Sequence, residues 1–311
     1  MVIDHRPSAV SDDGQHRAGT VAIAGRPNVG KSTLLNALMG FKLAIVSPRP
    51  QTTRNRIAGI KTMPGAQFLF LDTPGIHDPR GGLNRRLVSV ARRAVAEADV
   101  VLLVIDSSTG VDRHDREVAR NLTAAGTPTV TTLNKMDLIA RSELLPLMET
   151  LGDLVPGSEI VPVSALKNEN IDTLLGVLRK VLPVGPPLRP ENEVTDQTQC
   201  FIAQEMIREK VFELTHAEVP YATAVVVEDF CERTQSRAKR QLHYIRATVL
   251  IERPSQKAIV IGERGRRLKE IGRRARVELE GFLGGRVFLE LHVKVAQGWG
   301  TNPVVLHEIG L

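Results

Sequence analysis

The sequence predicts an α/β domain, its mostly parallel sheet covered by helices on both faces, followed by a smaller α+β module. Three observations carry this reading. Short apolar runs alternate with helical stretches through the first part of the chain. Four prolines and one glycine crowd into Pro183–Pro190. After that the order of elements changes. At 311 residues the chain is also too long for one ordinary domain.

The strands of the first part are predicted at Thr20–Ala24, Phe68–Leu71, Asp99–Ile105, Pro128–Leu133 and Ile160–Val163. Helices are predicted at Lys31–Leu38, Arg85–Ala98, Arg113–Ala125, Glu143–Leu151 and Ile171–Val181. Strand-helix alternation of this kind buries a parallel sheet on both faces. The second part opens with a helix, Gln199–Leu214, and two strands, Thr223–Val227 and His243–Glu252. A short strand leading into a glycine-punctuated helix is expected over Ala258–Leu283, and a last strand at Arg286–Val295. The expected division is a polar tail over 1–18, the α/β domain over 19–183, a Pro-rich linker over 184–198 and the α+β module over 199–311.

Composition excludes several classes. Cys200 and Cys231 are the only cysteines, with no metal-ligand spacing, so a reducing compartment is expected and no disulfide framework. No run is long and apolar enough to span a bilayer, and the first residues lack the pattern of a signal peptide. A cytoplasmic protein is expected. The formal net charge is +6, which permits an anionic partner. From Pro190 onward, however, 18 Lys+Arg face 17 Asp+Glu. An anion site there has to rest on local clustering.

The chemistry begins with Gly25-Arg26-Pro27-Asn28-Val29-Gly30-Lys31-Ser32, a G-x-x-x-x-G-K-S run between a strand and a helix. Its glycines let backbone N–H groups curl around phosphate oxygens at a helix N-terminus. Lys31 is placed to reach the β- and γ-phosphates and Ser32 to offer its hydroxyl to Mg²⁺. Asp72-Thr73-Pro74-Gly75 follows the strand Phe68–Leu71. Asp72 is a candidate to hold Mg²⁺ through water, and the Gly75 N–H to meet the γ-phosphate. Asn134-Lys135-Met136-Asp137 chooses the base. A carboxylate at 137 can accept from guanine N1–H and the N2 amine, which adenine lacks. Lys135 can pack its stem along the base, and Val163-Ser164-Ala165 offers a backbone N–H to the guanine carbonyl. GTP or GDP with Mg²⁺ is therefore the expected ligand. Ile76 occupies the position where Ras-like switches place a water-orienting glutamine. Slow intrinsic hydrolysis follows.

In the second module, Gly262-Glu263-Arg264-Gly265 is a G-x-x-G loop, the KH signature that clamps single-stranded RNA. Seven cations surround it (Arg264, Arg266, Arg267, Lys269, Arg273, Arg274 and Arg276), against Glu263 and Glu270. Phosphate contact is the direct reading. Aromatic residues make up only 4% of the chain, so backbone and base-edge contacts are expected to outweigh stacking. Arg85, Arg86, Arg92 and Arg93 lie after the Asp72 motif, either as reporters of nucleotide state or as a solvated helix face.

These motifs in this order resemble the translation-factor-related class of P-loop GTPases. The resemblance implies that Thr53, within Gln51-Thr52-Thr53-Arg54, closes on Mg²⁺ and the γ-phosphate, with Thr52 the second candidate. It also implies that Asn28 helps hold a potassium ion near the phosphates. A GTPase domain followed by a type II-like KH domain is similar to the Era family of bacterial ribosome-assembly GTPases. Ile207-Arg-Glu-Lys210 and Leu289-Glu-Leu-His-Val-Lys-Val295 extend that similarity to nearly the whole chain. The resemblance implies binding to the 3′ end of 16S ribosomal RNA in the small subunit and peripheral association with the inner membrane face.

Overall fold

The computed structural model describes residues 14–47, 54, 56–73, 89, 91–234 and 241–310. Strand β1 (Arg17–Ala24) leads through a glycine-rich turn into α1 (Lys31–Met39). Hairpin strands β2 (Ile57–Met63) and β3 (Ala66–Asp72) follow. Then come β4 (Val100–Asp106), α2 (Arg113–Ala125), β5 (Thr129–Asn134), α3 (Arg141–Leu154), β6 (Ile160–Pro162) and α4 (Ile171–Val181). The sheet order is β2-β3-β1-β4-β5-β6. Only β2 runs antiparallel to its neighbour.

Strand β4 shows why the sheet sits in the middle. All seven of its residues are buried. Leu102 and Val104 join α1 and α4 in one apolar cluster, while Val101, Leu103 and Ile105 join α2 and α3 in another. Alternate side chains point to opposite faces, so a continuous apolar run serves two helical layers. Because the parallel strands share a direction, the loops after β1, β3, β5 and β6 gather at one edge.

Strand β2 was not anticipated from sequence. Ile57-Ala-Gly-Ile-Lys-Thr-Met63 has no clean alternation, and Gly59 interrupts it. Packing explains the glycine: a Cβ there would meet Met39 Sδ at 2.8 Å. The strand's outer edge is covered by the linker. The Ile60 N–H donates to Val194 O at 2.9 Å, and Thr195 Oγ1 donates to Ala58 O at 2.6 Å. At the start of the chain, Arg17 and Ala18, placed in the tail by the sequence reading, belong to β1. Residues 91–96 are helical, within the expected Arg85–Ala98; Arg85 and Arg86 lie outside the described residues, and Arg92 and Arg93 are exposed on that helix.

The second module runs α5 (Gln199–Leu214), β7 (Thr223–Thr234), β8 (Gln241–Ile251), α6 (Pro254–Ile261), α7 (Arg266–Leu283), β9 (Arg286–Val295) and α8 (Pro303–Glu308). Strand β8 is central, antiparallel to β7 and parallel to β9. The order α-β-β-α-α-β, closed by the short α8, is the α+β module expected from sequence. One expectation fails here: Ala258–Ile261 ends a helix, not a strand. Arg253 opens that helix, Pro254 takes its first turn, and the Gln256 side chain accepts from the Arg253 N–H at 3.0 Å. The apolar run is too short to tell helix from strand by period. The glycine loop therefore joins two helices. Among the described residues, no helix is long and apolar enough to cross a membrane.

Candidate functional site

The loop after β1 wraps around one lysine. Lys31 is buried, and its ammonium donates to the carbonyls of Gly25 at 3.0 Å and Arg26 at 2.9 Å. No carboxylate among the described residues forms an ion pair with it. Burial lowers its pKa to about 8; Asp72 opposes that shift and Arg26 adds to it. A desolvated cation in a ring of main-chain groups is a site prepared for anionic oxygens.

Gly30 makes the loop possible. Its φ is +97°, and a Cβ would stand 2.3 Å from Asn134 Nδ2. That contact matters because the Asn134 side chain, 2% exposed, bridges two loops. Its Nδ2 donates to Val29 O at 2.8 Å, and its Oδ1 accepts from Ala165 N at 3.0 Å. Ala165 belongs to the Val163-Ser164-Ala165 segment from which a backbone N–H was expected to meet the guanine carbonyl, and its own N–H is engaged by this asparagine. Lys135, at φ +65°, sends its ammonium back to Asn28 O at 2.9 Å and Asp106 Oδ2 at 2.6 Å. Burial works against ionising Asp106, but bonds from Lys135 and Ser108 outweigh it and hold the carboxyl below its ordinary pKa.

Met136 and Asp137 lie in a single 3-10 turn, Met136–Leu138. The Met136 N–H donates to Val163 O at 3.1 Å, which docks the turn on the end of β6. The Asp137 side chain is 7% exposed and lies 3.9 Å from Lys167 Nζ. Ser164 is buried, its Oγ accepting from Lys167 N at 3.1 Å. A shielded carboxylate held this way can discriminate by hydrogen bonding.

Ser32 Oγ and Asp72 Oδ2 are 2.6 Å apart at the mouth of the phosphate loop. A hydroxyl and a carboxylate brought together beside Lys31 fit a hard cation that prefers oxygen. Thr73 is spent on structure: its Oγ1 donates to Ile23 O at 2.9 Å. Thr53, Pro74, Gly75 and Ile76 lie outside the described residues. Of the remaining loop residues, Val29 is buried, Pro27 is half-buried and Asn28 is exposed at φ +66°. Arg26 turns away from the loop: its Nε meets Asp115 Oδ2 on α2 at 3.1 Å, and its Nη2 donates to Thr109 Oγ1 in the turn after β4. Sequence reasoning missed Asp106 and Asp115 as supports, because each contact joins residues from separate elements.

At the second site the glycine loop projects between α6 and α7. Gly265 sits at φ +76° with open space where a Cβ would stand. Both features suit a backbone that must come close to a ligand. Arg264, Arg266 and Lys269 are exposed and form no ion pair among the described residues. Arg267 folds back and donates to Ile259 O. Arg273 is less available than its charge suggests: it donates twice to Glu270, at 2.8 Å each. Glu263 and Gly262 complete the loop, with Glu263 exposed.

A family model described as 50S ribosome-binding GTPase matches residues 20–135, and one described as KH domain matches residues 218–300. GTPase Era of Syntrophus aciditrophicus is 47% identical over 294 residues, 94% of this chain and 95% of that protein. GTPase Era of Geotalea daltonii is 46% identical over 296 residues, 95% and 98% of the two chains. Two crystal structures superpose with a TM-score of 0.89. One is a variant of Aquifex aeolicus Era bound to GDP and AlF4⁻, 41% identical, covering 94% of this chain and 99% of that one. The other is Era in complex with MgGDPNP and nucleotides 1506–1542 of 16S ribosomal RNA, 42% identical, covering 95% and 99%.

The buried lysine yields a pH signature. If Lys31 meets phosphate oxygens as the sequence predicts, they should raise its pKa above the value of about 8 that burial imposes. Nucleotide binding then takes up protons near that pH. Affinity holds steady at lower pH and falls as pH rises beyond it, approaching about tenfold per unit. Calorimetry in two buffers of different ionisation enthalpy reads the uptake directly; none, with a flat affinity across that range, contradicts the assignment.

Proposed function

The chain belongs to the Era family of GTPases, and from that premise we propose that it is a slow guanine-nucleotide switch whose KH domain binds the 3′ end of 16S ribosomal RNA during maturation of the 30S subunit. The observation that carries the RNA half is the loop Gly262–Gly265 with Arg264, Arg266 and Lys269 exposed beside it and free of ion pairs among the described residues. Three cations without carboxylate partners, next to a backbone that a ligand can approach, fit a phosphate chain. The two matched domains point to different subunits. The GTPase model's description names the 50S subunit and matches the first domain alone. The relative solved with RNA holds 16S RNA and matches 95% of this chain, and our reading follows it.

In this reading Asp137 accepts from guanine N1–H and the N2 amine, while Asn134 holds its loop against the phosphate loop. Lys31 neutralises the β- and γ-phosphates. Ser32 and Asp72, with Thr53, hold Mg²⁺, which supplies charge neutralisation at the phosphates. The Gly75 N–H meets the γ-phosphate. An isoleucine at 76 cannot polarise water, so hydrolysis is slow without help. A potassium ion held with the aid of Asn28 would replace part of the missing positive charge. Peripheral contact with the inner membrane face belongs to the same reading, the protein being otherwise cytoplasmic.

Asp137→Asn tests the base assignment. The amide donates where guanine also donates, so GTP affinity falls by on the order of a thousandfold and xanthosine nucleotides bind instead. Unchanged GTP affinity, or a preference for ATP in the parent chain, would refute it. Gly265→Asp tests the RNA site: affinity for a 16S 3′-end oligonucleotide drops by more than about tenfold while nucleotide affinity holds. Intact RNA binding in that variant removes the KH assignment. GTP turnover should be faster in potassium than in sodium, and equal rates dispose of the Asn28 role.

A further inference from the structure

Residues of the first domain between α1 and β2 grip the KH module at two places, Lys42 with Val46 at one and Arg54 at the other. The first is Glu209 on α5, buried with its side chain 2% exposed. Its Oε1 accepts from Val46 N at 2.8 Å, and its Oε2 from Lys42 Nζ at 2.5 Å and Lys210 Nζ at 2.9 Å. Glu278 on α7 shares both lysines, at 2.8 Å each. Burial opposes ionisation of Glu278, but bonds from Lys210 and Lys42 outweigh it, so its carboxylate stays charged.

The second grip is Arg54, 4% exposed, sunk into the KH module. Its guanidinium donates to the carbonyls of Thr223 at 2.7 Å, Tyr221 at 2.9 Å and Pro220 at 3.3 Å. It lies 5.5 Å from the Trp299 ring centre and 6.0 Å from that of Phe212. Among the described residues, no carboxylate forms an ion pair with it. Burial, and then the neighbouring Arg208, lower its pKa, with Glu205 opposing. Carbonyl dipoles and ring faces compensate a buried charge less fully than a carboxylate does. The plug is therefore specific in geometry and carries a desolvation cost that no ion-paired carboxylate offsets.

We propose that Arg54 is the positioning residue through which nucleotide state and RNA binding are coupled, by plugging the socket formed by the carbonyls of Pro220, Tyr221 and Thr223 and the rings of Phe212 and Trp299. The proposal rests on the reading above in which Thr53 contacts the nucleotide. Adjacent Cα atoms stand about 3.8 Å apart, so any demand on position 53 reaches 54. The socket connects to the RNA site through rigid parts. Thr223 begins β7, and Phe212 lies on α5, which packs against α7. Arg266 opens α7 beside the glycine loop, and Glu278 lies about 18 Å further along that helix. A change at Arg54 and Glu209 thus acts on the helix that presents the cations.

The test measures affinity of the full chain for a labelled 16S 3′-end oligonucleotide with GDP and with a non-hydrolysable GTP analogue. The parent ratio should differ from one by about fivefold or more, and RNA should shift GTP-analogue affinity by the same factor. In Arg54→Ala both factors should fall to within about twofold of one, with GDP affinity unchanged. Arg54→Lys keeps a charge but loses the three-carbonyl fork, and should lose most of the coupling. Trp299→Leu attacks the socket from the other side and carries the test if Arg54→Ala does not fold. A parent ratio of one, or a parent-sized ratio in these variants, overturns the proposal. Failure of the parent chain to bind RNA in either state overturns the RNA-switch reading as well, which separates the two failures.

Discussion

The Asn134 side chain holds the nucleotide end of the molecule together. It is buried where β5 ends, donating to the phosphate loop at Val29 and accepting from the last loop at Ala165. A parallel sheet brings these loops to one edge but leaves their spacing undetermined. One amide with both of its ends satisfied does that job, because leaving either end unpaired in the interior is costly. Gly30 is required by the same contact: any side chain would occupy the place of the amide. Lys135 repeats the device from the next position, tying Asn28 to Asp106. The glycine-rich loop after β1 and the turn Met136–Leu138 are therefore one construction, and Asp137 inherits its position from it.

The contact between the two domains obeys a different constraint. Helix α5 buries Glu205, Arg208, Glu209 and Lys210 along with its apolar residues. Charges in such a place persist only as a compensated set. Arg208 forks onto Glu205 at 2.7 and 2.6 Å, while Glu209 and Lys210 reach Lys42, Glu213 and Glu278. The interface is thus partly electrostatic, and specific in register. One apolar cluster still runs through it, from Leu35 and Ala44 to Ile207 and Val249. An interface with an apolar base and a polar network around it can hold two modules while allowing their relation to change.

Much of this was legible along the chain. The phosphate loop, the Asp72 motif, Asn134–Asp137 and the glycine loop each rest on local chemistry, in which a few consecutive residues set the backbone and offer the ligands. What stayed hidden was non-local. Strand β2 owes its form to β3, to the linker and to the packing of α1 against Gly59. The segment before the glycine loop reads as a strand in sequence and is a helix, because a run of four apolar residues carries no period.

The sequence by itself determined that this chain holds guanine nucleotide machinery ahead of a KH loop, since those elements consist of contiguous residue types whose chemistry does not depend on distant partners. It also settled the alternation that makes the first sheet mostly parallel. Tertiary structure decided which charges remain available. Arg26 is held by Asp115 on α2 and Arg267 by the Ile259 carbonyl on α6, while Arg264, Arg266 and Lys269 are left to solvent. Tertiary structure alone also placed Arg54, one residue past the proposed nucleotide contact, inside the other domain. Desolvation and pairing depend on what folds alongside a residue, and residue order does not encode that directly.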